Sequence, residues 1–90
     1  MSLIELNIRG VPDWLLRTYL LELGAAADPH DRDAPRMSGD GYTVSWSSER
    51  VDLAGGTLKL TQLNILLDGD QSIIAAFEPE LMKKLQRGGG

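Results

Sequence analysis

Ile4-Glu5-Leu6-Asn7-Ile8-Arg9-Gly10-Val11-Pro12-Asp13-Trp14-Leu15-Leu16-Arg17-Thr18-Tyr19-Leu20-Leu21-Glu22-Leu23-Gly24 changes its hydrophobic period once, and that change decides the fold. Ile4, Leu6 and Ile8 alternate with Glu5, Asn7 and Arg9, a period of two that predicts a strand with one buried and one wet face. Gly10-Val11-Pro12 interrupts it. Pro12 suits the first helical position, where its missing N–H would have no partner anyway, and Asp13 lies near the positive end of the helix dipole. Leu16, Leu20 and Leu23 then recur at helical spacing, and Gly24 stands where a helix-terminating glycine belongs. A single strand therefore leads directly into a helix.

Downstream, Ala25 to Gly41 reads as a long loop holding Pro29, Pro35 and the run Asp28-Pro29-His30-Asp31-Arg32-Asp33. Connections of that length are usually mobile or functional. Tyr42, Val44 and Trp46 alternate with Thr43, Ser45 and Ser47, predicting a second strand. A third spans Thr57–Leu67, where the alternation changes phase: Leu58 and Leu60 have one parity, Leu63, Ile65 and Leu67 the other. A bulge near Thr61-Gln62 would return all five to one face. Without one, Leu63, Ile65 and Leu67 would form an apolar patch suited to a subunit interface. Asp70 is placed to cap a helix over Gln71–Arg87, kinked or restarted at Pro79; a short strand at Ser72–Phe77 is the alternative. The expected architecture is α+β, β-α-β-β-α. A single-layer sheet of three strands, or four with Ser72–Phe77, antiparallel or mixed, carries two helices on one face. This is ferredoxin-like order lacking its last strand. Residues 1–87 form one domain and 88–90 a flexible glycine tail. Glu5, Asn7, Arg9, Thr43, Ser45, Ser47 and Lys59 are expected on the open face of the sheet.

Ninety residues with 42% hydrophobic and 24% charged content support one folded domain with a thin core. The scaling of surface with mass gives about 5,200 Å² of folded surface. No cysteine is present, which removes disulfides, thiolate metal sites and cysteine nucleophiles and suits a reducing cytoplasm. The net charge of −4 disfavours nucleic acid, whose binding draws on neutralised phosphates, and anionic membranes with it. No apolar run approaches a membrane span and no secretory signal is visible, so a cytoplasmic location is expected.

Arg9-Gly10-Val11-Pro12, Trp14-Leu15-Leu16, Tyr19-Leu20-Leu21-Glu22-Leu23-Gly24 and Arg87-Gly88-Gly89-Gly90 resemble a family of short bacterial α/β domains of unknown function, mostly from thermophiles. The likeness covers most of the chain. It implies a small α/β fold and brings no activity with it.

The first functional reading is a non-catalytic interaction or small-ligand-binding module, assembled as a homodimer through an open sheet edge or through Leu63, Ile65 and Leu67. Trp14, early in the first helix and off its leucine line, would anchor a contact. No cofactor, catalytic residue or metal is assigned. Asp28, His30, Asp31 and Asp33 offer oxygen ligands and one imidazole within six residues. They lack the alternating spacing, central glycine and closing glutamate of a calcium loop, so a solvated ligand or metal loop is the most they suggest. The second reading is a ubiquitin-like or sulfur-carrier protein activated through Gly89 and Gly90. An activating enzyme threads an unbranched C-terminus into a narrow channel, where a β-carbon would collide. Against it, a ubiquitin-like fold opens with a hairpin before its helix, not with a single strand. The third is an enzyme using His30, the one side chain whose ordinary pKa lies near neutrality.

Overall fold

The structure, a computed structural model, describes residues 2–88. Five strands and two helices follow in the order β1 (Ser2–Arg9), α1 (Asp13–Glu22), β2 (Ala26–Ala27), β3 (Arg36–Gly39), β4 (Tyr42–Leu53), a 3-10 turn at Ala54–Gly56, β5 (Leu58–Gly69) and α2 (Gln71–Gly88). The sheet order is β1-β5-β4-β3-β2 and every neighbouring pair is antiparallel.

This overturns the ferredoxin-like expectation of three or four strands. β1 sits at an edge, antiparallel to the last strand, and the segment expected to be loop supplies β2 and β3 at the other edge. β3 exists because Asp40-Gly41 closes a two-residue hairpin between Gly39 and Tyr42, with Gly41 at φ +84°. Asp-Gly is among the strongest short hairpin signals, since both central residues of the tight turn need positive φ. The glycines around Asp40 are turn glycines, but the turn joins two strands where a loop over 25–41 was expected.

α1 begins at Asp13, where the helical spacing starts, and Pro12 is the extended residue before it rather than the first helical one. It ends as a Schellman turn: Ala25 N–H donates to Leu20 O at 2.9 Å and Gly24 N–H to Leu21 O at 3.1 Å, with Gly24 at φ +97°. α2 is capped by Asp70, whose Oδ1 accepts from the Ser72 amide at 2.9 Å and its hydroxyl at 2.6 Å. The helix runs unbroken through Pro79, so Ser72–Phe77 is helical. An internal proline costs about 3 kcal/mol. Leu81 and Leu85 beyond it are 0% and 2% exposed, and burying two leucines returns about 1.5–3 kcal/mol each. Packing wins.

The β4–β5 ladder runs in one register from Tyr42↔Gly69 to Leu53↔Leu58, without a bulge. The change of parity in β5 is therefore real, but its two halves sit opposite to expectation. Leu63, Ile65 and Leu67 are each 0% exposed, in a core with Val44, Trp46, Leu16, Leu20, Ile74 and Leu81. They form no surface patch. Leu58 and Leu60 are the exposed pair, because they share the parity of Gln62, Asn64 and Leu66 and face the side without helices. β1 pairs only with Gln62–Gly69, and the β4–β5 hairpin projects beyond it as an arm. Lys59 lies opposite Asp52, with the core parity of the strand, so it is not on the open face. The projecting arm also accounts for a surface of 5640 Å², somewhat above the value for a compact body of this mass, and for principal extents of 42 × 28 × 22 Å.

Candidate functional site

Both helices cover one face of the sheet. On the other face the register stacks polar side chains in rows across the strands. Arg9, Gln62 and Glu49 form one row, Asn7, Asn64 and Ser47 the next, and Glu5, Leu66, Ser45 and Arg36 a third. The first row is hydrogen-bonded along its length. Arg9 Nε donates to Gln62 Oε1 at 3.1 Å, and Gln62 Nε2 donates to Glu49 Oε1 at 3.3 Å and to Asn64 Oδ1 at 2.9 Å. The alternation seen in the sequence placed Glu5, Asn7, Arg9, Thr43, Ser45 and Ser47 on this face, and the register puts them there.

The third row and part of the second form the floor of a groove of about 580 Å³. Its wall is the segment 28–35, through Asp28, Asp31, Ala34 and Pro35, with Trp46 at its end. Glu5, Asp28 and Asp31 face it against Arg36, so the groove is acidic with serine and asparagine donors and acceptors on its floor. It suits a polar ligand or the polar surface of a partner.

Arg17, on α1, holds this wall. Arg17 Nη1 donates to Arg32 O at 3.1 Å, and Nη2 donates to Asp33 O at 2.9 Å and Ala34 O at 3.1 Å. Its Nε meets Asp13 Oδ2 at 2.9 Å, and its guanidinium lies 5.0 Å from the Trp46 ring centre. The other Asp13 oxygen accepts from Trp46 Nε1. Planar guanidinium donors suit three carbonyls turned one way. Only the folded loop brings them together, which no spacing in the sequence announces.

The acidic run is used locally. Asp28 Oδ1 accepts from the His30 amide at 2.9 Å and Asp31 Oδ1 from the Asp33 amide at 3.1 Å, side-chain turns of the kind aspartates make in loops. Among the described residues no group of three or more such side chains could hold a metal ion. Asp28 and Asp31 reach the groove, whereas His30 and Asp33 are exposed and do not line it. Trp14 is 65% exposed in the first turn of α1. Gly89 and Gly90 lie outside the described residues.

A family model matches residues 4–90, under the description archaeal MoaD-like protein. The chain belongs to that family. A search of curated proteins gives no match. MoaD-like domains have the β-grasp fold, which replaces the ferredoxin-like assignment. The family is a small-domain one, as the motif resemblance implied, but it is described as archaeal; the match says nothing of bacterial or thermophilic origin. Within it, this MoaD-like chain runs from a single strand straight into α1, and its long hairpin, β4–β5, follows the helix. Among the described residues no helix is long and apolar enough to cross a membrane.

Proposed function

We propose that this chain is a sulfur carrier of the MoaD-like kind, loaded at the carboxylate of Gly90. The observation that supports it is the family match running through residue 90, so that it includes Gly88-Gly89-Gly90. Adenylation would convert the terminal carboxylate into a mixed anhydride with release of pyrophosphate. A sulfide-level nucleophile would then displace AMP and leave a thiocarboxylate. The chemistry takes place in partners' active sites, and the carrier's part is an unbranched, reachable end. Near the end of α2, Leu85 is buried and Gln86 is exposed. In this role the chain is a substrate of other enzymes and needs no catalytic residue of its own.

The test is the intact mass of the untagged protein isolated from its own host. The expected result is a species in which one oxygen is replaced by sulfur at a free Gly90 carboxylate, lost when Gly89 and Gly90 are deleted while the fold survives. An unmodified chain from cells actively making the sulfur-dependent product would end the carrier reading. A second reading, a binding module, is favoured by the acidic groove on the sheet face and by exposed Trp14. The two differ in where they put the function, at the tail or at the sheet.

A further inference from the structure

β1 ends the sheet order, and no described strand lies beyond it. Its eight residues contain no proline and carry only two charges, Glu5 and Arg9, which is a poorly protected edge by the standards of natural sheets. The direction of its free backbone groups follows from the ladder. Gly10 N–H donates to Thr61 O at 3.0 Å, one step beyond the Arg9↔Gln62 pair. Antiparallel strands alternate the side to which each residue directs its N–H and C=O. Ser2, Ile4, Leu6 and Ile8 therefore bond to β5, and Leu3, Glu5, Asn7 and Arg9 direct both groups at the open edge.

The side chains tell the same story. Ile4, Leu6 and Ile8 point at the helices but are only half-buried, whereas their neighbours Ile65 and Leu67 on β5 are fully buried. An apolar row thus lies along the unpaired edge with cover on one side only.

We infer that the missing cover is a second copy of this chain, joined β1 to β1 in an antiparallel, two-fold pairing. Charge selects the register. Centred on Glu5, the pairing would set two carboxylates opposite each other. Centred on Asn7, it sets each Glu5 opposite Arg9 of the second copy, on both sides of the axis, and each Leu6 beside Ile8 of the second copy. Opposite charges directly across strands stabilise and like charges destabilise. The result is one continuous sheet from two five-stranded ones, helices on one face and both grooves on the other. The inference does not depend on the carrier reading, because sulfur at Gly90 and pairing at β1 are read by different measurements.

Sedimentation equilibrium of the full chain at micromolar concentration tests it. The wild type is expected to be a dimer. Asn7→Pro removes an N–H that bonds nothing within one copy, since prolines are tolerated where a strand's N–H faces outward, and is expected to be a folded monomer. Glu5→Arg should weaken the dimer about tenfold or more by setting two arginine pairs in apposition, and the exchange Glu5→Arg with Arg9→Glu should restore it. Trp14→Ala should remain dimeric. A monomeric wild type, a folded Asn7→Pro or Glu5→Arg protein that still dimerises as tightly, or dissociation by Trp14→Ala would each overturn the β1 pairing. Should Asn7→Pro not fold, the charge exchange decides alone.

Discussion

Asp70 shows how one exposed side chain sets an element's start. The Ser72 hydroxyl, and then the Ser72 amide, hold its carboxyl below the ordinary carboxylate range. A depressed folded pKa stabilises the fold above the unfolded value, about 3.9, and that contribution disappears as pH falls through the folded one. Asp70→Ala should therefore lower the urea midpoint at neutral pH, by less than a core truncation does. The gap to wild type should close as the solution is acidified through that window; a gap independent of pH would mean that the carboxylate does not cap α2. Gly69 is constrained differently. A β-carbon there would meet the backbone of Gly41 and Tyr42, which cannot swing aside as a side-chain tip can. Gly69→Ala should cost about 1–3 kcal/mol by overpacking, measured by urea unfolding; a loss within 0.5 kcal/mol would show that the two turns are not so close. Tyr42 itself, its ring centre 4.4 Å from that of Phe77, has its hydroxyl pKa raised by burial.

At the scale of elements, β1, α1 and α2 were legible because each has a long, clean period and a marked end: Pro12, Gly24, Asp70. β2 and β3 were not. Two and four residues are too short for a period; β3 pairs with β4 because Asp40-Gly41 folds the chain back, and β2 pairs with β3 across the segment 28–35. The groove's wall depends on a contact between elements. Arg17 spans from α1 to three carbonyls of segment 32–34, and hydrogen bonds to a charged donor contribute about 1.5–3 kcal/mol. Arg17→Ala should lower stability by about that amount at most and raise amide exchange in residues 28–35 well above the change in β4 and β5. Uniform exchange across the chain would argue against a locally pinned wall. Of the site, Glu5, Ser45 and Ser47 were visible in the alternation of β1 and β4, whereas Asn64 was not. Arg36 was not, because its strand was not.

For the whole molecule, the tail and the edge are separate claims: a carrier can be monomeric, and a dimer can lack sulfur. Intact mass and oligomeric state divide them. The amino-acid sequence alone determined that the chain is acidic and cysteine-free, that a strand runs directly into a leucine-faced helix, and that a capped helix follows Asp70. Those properties follow from local period, turn chemistry and composition. Only the tertiary structure decided which half of β5 is core. Leu58 and Leu60 carry one parity and Leu63, Ile65 and Leu67 the other, and the outcome depends on which face of the sheet the helices cover. It likewise decided that β1 is an edge and that loop acids meet the open face, because strand order joins residues far apart in the chain and no local pattern encodes it.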